Sequence, residues 1–154
     1  ADFRAIRAGR RAMSPETGHS DVTTLGIRVR VAAEFLPEES DPDANVWVFL
    51  YRVVISNQSE RTMKLLARHW IIRDANGERR DVKGPGVVGE KPEIQPGGVF
   101  EYHSSCPLTT AWGTMEGSYS CVWTDGEPFE VRVGRFFLAQ NTAPIAAQEP
   151  PRAR

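Results

Sequence analysis

The chain of 154 residues has little of what marks several protein classes. Its two cysteines, Cys106 and Cys121, are too few for a disulfide scaffold and form no CxxC pair for a metal or redox centre. Its longest apolar runs, such as Val46–Tyr51, are far shorter than the ~20 residues that cross a bilayer, and no apolar secretory segment follows the start. The sequence therefore predicts no membrane association and a cytoplasmic location with both thiols free. The alternative is one disulfide between neighbouring strands.

Charge and histidine content exclude two further classes. The formal net charge is −1, so the chain lacks the positive excess of nucleic-acid-binding proteins. The three histidines, His19, His69 and His103, match no metal-ligand spacing, and the acidic loop at 38–43 lacks the ligand register of an EF-hand. We predict no cofactor and no metal. A metal site in which His69 and His103 meet across strands, with a cysteine nearby, is the alternative.

Apolar residues recur at every second position over most of the chain. In the segment 25–36 they alternate with arginine and glutamate, which is typical of a strand with one buried face. The segment 46–57 is apolar on both faces and fits a central strand, and the dipeptides Asn76-Gly77 and Asp125-Gly126 are hairpin-turn signals. Seven or eight strands without a credible helix predict an all-β, antiparallel β-sandwich, with a closed barrel as the alternative.

Both ends of the chain have the composition of tails. Residues 1–22 contain four arginines and then a stretch of Ser, Pro, Glu, Thr and Gly, and residues 141–154 are rich in Ala, Pro and Gln. Neither segment has enough apolar residues for a core. We predict a flexible N-terminal tail at 1–22, one β-sandwich domain at 23–140 and a flexible C-terminal tail at 141–154. A transit peptide or a phosphate-binding arm is the alternative for the arginine-rich start.

The stretch KGPGVVGEKP contains the spacing G-x-G-x-x-G, at Gly84, Gly86 and Gly89. Dinucleotide-binding folds use this spacing, but they need a helix directly after the glycines. Pro92 and the turn IQPGG that follows it exclude such a helix. A glycine-rich loop can still turn backbone N–H groups toward an anion without a helix, and Lys83 and Lys91 flank this one.

Three interpretations of this stretch stay open. The first is a pyrophosphate-binding or other anion-binding site, for which the candidate residues are Lys83, Gly84, Gly86, Val87, Val88, Gly89 and Lys91. The second is a structural loop, in which the glycines supply special φ angles while Val87 and Val88 pack into the core. The third is an edge that binds a protein partner.

Other candidate residues are few. Trp112, in the loop TTAWGT, is a candidate partner contact, whereas Trp47, Trp70 and Trp123 lie in strand patterns typical of a core. His103 and Cys106 are three residues apart on an extended segment, which places them on opposite faces. Because no nucleophile, base or carboxylate cluster has a catalytic spacing, we predict that the chain is not an enzyme.

Several longer motifs resemble one family. RHWIIRDANG, the glycine block from Gly84 to Gly97, GTMEGSY and the closing PFEVRVGRFFL occur in the order found in the ApaG family, also called DUF525. The resemblance covers about residues 23–140. Pro85 departs from the family pattern, which commonly has glutamate there.

The resemblance implies a fibronectin type III-like, or immunoglobulin-like, sandwich without an established catalytic activity. It also implies an association with tolerance of divalent cations (Co²⁺ and Mg²⁺) and with diadenosine tetraphosphate metabolism, and in eukaryotic relatives a role in protein interaction. We therefore expect a non-enzymatic binding domain, monomeric or weakly dimeric. Its ligand is either an unidentified protein or an anionic nucleotide.

Overall fold

The computed structural model describes residues 18–141 and Ile145. Within these residues the chain forms nine strands. The strands are β1 (His19–Thr24), β2 (Ile27–Phe35), β3 (Trp47–Asn57), β4 (Met63–Asp74), β5 (Arg79–Pro85), β6 (Glu93–Ile94), β7 (Val99–Leu108), β8 (Trp112–Trp123) and β9 (Pro128–Ala139). The longest connection, between β2 and β3, contains two short 3-10 turns at Pro37–Glu39 and Pro42–Ala44.

The strands form two antiparallel sheets. The first has the order β1-β2-β3-β7, and the second has the order β5-β4-β8-β9, with the short β6 beside one end of β4. The predicted all-β antiparallel sandwich is confirmed, and the barrel alternative is wrong because the sheets stay separate. Both hairpin dipeptides lie at turns, as predicted, and Gly77 and Gly126 take φ angles of 82° and 92°. Asn76 and Asp125 do not have positive φ angles, so neither turn is of type I′.

The alternation in the sequence selects the buried faces of both sheets. Every second residue of β2 from Ile27 to Ala33 is buried, as are alternate residues of β3, β4, β8 and β9. These side chains form one core between the sheets. The hydroxyls of Tyr102 on β7 and Tyr119 on β8 join the two sheets through a buried hydrogen bond of 2.6 Å.

The two lateral sides of the sandwich differ. On one side the edge strands β1 and β9 pack together, and the Arg132 N–H donates to Thr24 Oγ1 at 3.1 Å. Gly134 has no room for a side chain there, because a Cβ would lie 2.7 Å from Val22 Cγ2. On the other side lie the edges of β5 and β7, bridged by Arg80, whose Nη2 donates to the Pro107 carbonyl at 3.2 Å.

The predicted tails fall mainly on residues 1–17, 142–144 and 146–154, which lie outside the described residues. One boundary needs correction, because β1 begins at His19, inside the range 1–22, and pairs with β2 along its length. Inside the range 141–154, Ile145 is buried and its N–H donates to Glu34 Oε1 at 3.0 Å. Among the described residues, no helix is long and apolar enough to span a membrane.

Candidate functional site at the glycine-rich turn

The glycine block divides into the end of strand β5 and a tight turn, here called the glycine turn (residues 86–90). Val87 and Glu90 exchange two backbone hydrogen bonds of 2.8 Å each. The two residues between them, Val88 and Gly89, have φ angles of 41° and 82°. A two-residue connection with both φ angles positive is a type I′ hairpin turn, which favours Asn-Gly rather than a β-branched residue.

Gly86 is fixed by its surroundings. Its φ angle is +59°, and a Cβ at this position would collide with the Glu90 carbonyl oxygen. Its N–H donates to the Leu66 carbonyl at 2.8 Å, which joins the turn to β4. Gly89 also has a positive φ angle, but a Cβ there would meet no atom within 4 Å. The first of these glycines is therefore needed for close approach, and the second for backbone conformation alone.

These hydrogen bonds already engage most of the backbone N–H groups that an anion-binding loop would need. The N–H groups of Gly86, Val87 and Glu90 all donate to backbone carbonyls. Within the described part of the chain, Val88 and Gly89 are the turn residues whose N–H groups make no hydrogen bond. The turn thus offers two adjacent N–H groups at its tip rather than a concave ring of donors.

The two valines have opposite environments. Val87 is fully buried, whereas 52% of Val88 is exposed. The prediction that both valines pack into the core is therefore correct for Val87 and wrong for Val88, because the turn directs only its first residue inward. Leu66, whose carbonyl accepts the Gly86 N–H, is 36% exposed at a bulge in β4. The structure thus presents two apolar side chains at this end of the sandwich.

The lysines flank the turn as the sequence predicts. Lys83 lies on β5 beside His69, and Lys91 follows the turn with its Cγ close to Gly86. Both are exposed, and neither forms an ion pair with a residue in the described part of the chain. The tip of the turn is therefore apolar, with the cations Lys83 and Lys91 and the exposed carboxylate of Glu90 at its flanks.

Arg68 is a residue of this site that the sequence analysis missed. It lies across Gly84 of β5, where a Cβ would be 3.0 Å from Arg68 Nη2. Its Nη1 donates to the carbonyls of Pro85 and Gly86, both at 3.0 Å. The available signal was Gly84 itself, because a glycine inside a strand often marks the close approach of another group.

A charged group lies on the outer face of the same strands. His69 Nε2 is 2.7 Å from Asp81 Oδ2, and Arg79 Nε donates to Asp81 Oδ1 at 2.7 Å. The Arg79 guanidinium first, and His69 second, hold the pKa of the Asp81 carboxyl well below its usual range. Asp81 is thus already paired with Arg79 and His69, whereas Lys83 forms no ion pair with a residue in the described part of the chain.

Trp112 does not belong to this site. It is 44% exposed, as expected, and stacks on Phe137 with ring centroids 5.7 Å apart. Strand β8 places it beside the Asp74 end of β4, whereas the glycine turn adjoins Ala67. Seven residues of β4 separate these points, about 23 Å at the usual strand rise. Of the other tryptophans, Trp70 and Trp123 are buried and Trp47 packs partly buried against the core.

The metal and disulfide alternatives are not supported by the geometry. His69 lies on the outer face of the second sheet and His103 on that of the first, so they do not meet. Among the described residues, no three His, Cys, Asp or Glu side chains come together as metal ligands. Both cysteines are free and buried, and burial raises the pKa of Cys106 to about 11 and that of Cys121 to about 12.

Comparisons with known proteins agree with the motifs. The family described as ApaG domain (DUF525) matches residues 37–123, more than half of the chain. This chain belongs to the ApaG family. Protein ApaG of Acidovorax sp. (strain JS42) is 46% identical over 127 residues, which are 79% of this chain and 93% of that protein. Protein ApaG of Beijerinckia indica is 48% identical over 115 residues, 75% of this chain and 88% of that protein.

A solved ApaG-type structure has the same architecture. The crystal structure of a protein described as ApaA from Bordetella pertussis superposes with a TM-score of 0.73 at 40% identity. The match covers 84% of this chain and 100% of that one. The family resemblance read from the motifs is therefore confirmed, and so is the sandwich that it implies.

Proposed function

We propose that this ApaG-family chain is a non-catalytic binding domain that contacts a protein partner through the glycine turn. The observation that carries this proposal is Val88. A β-branched side chain at a positive φ angle is a rare and strained conformation, costing roughly 1–3 kcal/mol. Here that conformation holds an apolar side chain in solvent instead of in the core. Strained conformations of this kind cluster at functional sites.

The surroundings of Val88 suit a partner surface. Leu66 adds a second exposed apolar side chain, and Lys83 and Lys91 add cations at the margin. Interfaces commonly combine an apolar centre with a charged rim. In this proposal the expected association with cation tolerance and with diadenosine tetraphosphate metabolism operates through the partner. We place the domain in the cytoplasm, where two free buried thiols persist.

The test is Val88→Asn, which creates the Asn-Gly pair that type I′ turns favour. The free energy of unfolding should rise by about 1 kcal/mol, because asparagine adopts positive φ angles more readily than valine. Quantitative pull-down from a bacterial lysate should then show a protein retained by the unchanged chain and lost from the variant. Val99→Thr is the control, since Val99 is 59% exposed but lies on β7. Equal retention by Val88→Asn and the unchanged chain would refute the proposal.

A second candidate function is the binding of pyrophosphate or of a nucleotide such as diadenosine tetraphosphate. It is supported by the unbonded N–H groups of Val88 and Gly89 between Lys83 and Lys91. Amide NMR titration with pyrophosphate should then shift the resonances of residues 83–91. Charge-assisted bonds to two lysines imply that Lys83→Ala with Lys91→Ala weakens binding by ~1–3 kcal/mol. Unchanged affinity would remove this candidate.

A further inference from the structure

Strand β5 has one edge without a neighbour, because it is the terminal strand of its sheet among the described residues. The direction of its backbone groups follows from two hydrogen bonds to β4. The Gly86 N–H donates to the Leu66 carbonyl, and the Asp74 N–H donates to the Glu78 carbonyl. Antiparallel pairs alternate between bonded and non-bonded, so Arg80, Val82 and Gly84 bond to β4.

The residues between them point their backbone groups away from β4. Arg79, Asp81 and Lys83 therefore present three N–H groups and three carbonyls along the free edge. The next residue in this series, Pro85, has no N–H, and Arg68 occupies its carbonyl. This edge consequently has a defined length and a defined end, adjacent to the glycine turn.

The charge of the edge selects among the segments that can pair with it. Strand β5 contains three cationic residues, Arg79, Arg80 and Lys83, and one carboxylate, Asp81. The Asp81 carboxylate is already bonded to Arg79 and His69, so the outer-face residues Arg79, Asp81 and Lys83 together carry a net charge of +1. The Arg80 side chain faces the core side and reaches the Pro107 carbonyl of β7. The edge therefore favours acidic side chains on the outer face of an added strand.

A second copy of the chain, in the register that pairs all three outward residues, does not satisfy this charge. Antiparallel pairing of two β5 strands about Asp81 would set Arg79 of one copy opposite Lys83 of the other, twice. A register shifted by two residues would set Asp81 opposite Arg79 or Lys83, but it would pair only two of the three outward residues. Like charges at directly opposite positions destabilise a strand pair. The occupant that fits is a different segment, with acidic residues four positions apart.

We propose that β5 binds an extended acidic segment of a protein partner as an added strand of the sheet. The acidic residues of that segment lie opposite Arg79 and Lys83, and its backbone bonds to the free groups of Arg79, Asp81 and Lys83. Addition of a strand to an exposed sheet edge is a recurrent mode of peptide recognition. The inference rests on the proposed function, because it names the chemistry of the partner that reaches the glycine turn.

Hydrogen exchange of the full chain tests the pairing directly. The probe is the capped peptide SEVTVES, and the peptide SKVTVKS is its charge-reversed control. Binding of the first peptide should slow amide exchange at Arg79, Asp81 and Lys83. The amides of Arg80, Val82 and Gly84 should change little, since β4 already protects them. Equal binding of both peptides would overturn the inference, as would protection confined to β7.

Two variants locate the bound edge. Lys83→Pro removes one outward N–H without breaking a bond to β4, and it should weaken binding of SEVTVES at least tenfold. Ser105→Pro is the matched control, because Ser105 occupies the equivalent outward position of β7, opposite Leu50. It should leave affinity unchanged. If Lys83→Pro misfolds, the double variant Arg79→Glu with Lys83→Glu replaces it. This variant should bind SKVTVKS more tightly than SEVTVES, the reverse of the unchanged chain. A preference that does not change overturns the inference.

The same variants separate this inference from the proposed function. Loss of the retained protein in Val88→Asn but not in Lys83→Pro would refute the edge and leave the glycine turn as the contact. Loss in Lys83→Pro alone would refute the turn and support the edge. Shifts with pyrophosphate but not with either peptide would refute the edge, and retention of the same protein by Val88→Asn would then refute the turn as well, in favour of an anion site.

Discussion

Gly86 and Gly89 of the glycine turn both have positive φ angles, so alanine variants at these two positions differ mainly in whether the new Cβ collides with a neighbouring atom. Alanine at either Gly86 or Gly89 must adopt a left-handed conformation, which costs about 1–2 kcal/mol. At Gly89 nothing lies within 4 Å of the new Cβ, so this is the whole cost. At Gly86 the Cβ also collides with the Glu90 carbonyl oxygen, which accepts the Val87 N–H.

The collision at Gly86 has a calculable consequence. Relieving it requires Glu90 to move and the two hydrogen bonds between Val87 and Glu90 to break, at about 0.5–1.5 kcal/mol each. We therefore expect Gly86→Ala to lower the free energy of unfolding by about 1–3 kcal/mol more than Gly89→Ala. At roughly 4 °C per kcal/mol for a domain of this size, the two melting temperatures should differ by about 4–12 °C.

Urea unfolding followed by tryptophan fluorescence measures this difference, and calorimetry provides the melting temperatures. Gly77→Ala in the β4–β5 hairpin is a second control, since it too has a positive φ angle and open space around the Cβ. Equal losses for Gly86→Ala and Gly89→Ala would refute the reasoning. That result would mean that the spacing G-x-G-x-x-G is required for backbone conformation alone and not for close approach.

Two further predictions concern buried groups. Tyr102→Phe or Tyr119→Phe should each lower the free energy of unfolding by about 1–3 kcal/mol, because the remaining hydroxyl loses its 2.6 Å partner in the core. The double variant should lose less than the sum of the two single variants. Strict additivity in this double-mutant cycle would show that the two hydroxyls do not interact. Burial raises the pKa of Cys106 to about 11 and of Cys121 to about 12, so both should resist alkylation at pH 8 in the folded chain and react once it unfolds. Rapid alkylation of the folded chain would contradict their burial.

The sequence determined the architecture because the signal is repeated in every strand. The alternation over 25–36 predicts a strand with one buried face, and the two apolar faces over 46–57 predict a central strand. The two hairpin dipeptides predict turns between antiparallel strands. The missed strand, β1, has a weaker pattern. Its inward positions include Ser20 and Thr24, and it is stabilised by packing against β9 that no local pattern reveals.

The details of the site depended on geometry that a one-dimensional pattern lacks. Val87 and Val88 are chemically identical, and only the bonding of the turn decides which one is buried. The bulge between Leu65 and Ala67 shifts the alternation of β4, so the sequence alone does not indicate that Arg68 faces the core side and lies across Gly84. The lysines were found because charge beside a glycine loop is visible without a structure.

The arginine contacts on the side of the sandwich formed by β5 and β7 also bear on self-association. Each of these edge strands has a proline near its end, Pro85 or Pro107, whose carbonyl is occupied by an arginine. Two exposed edges on one molecule would otherwise allow strands to add without limit, as they do in cross-β fibrils. Each proline lacks an N–H donor and each arginine occupies a carbonyl acceptor, so a strand added at either edge can pair over only a few residues. The same fold can thus keep an edge available to a short segment while it resists aggregation at high concentration.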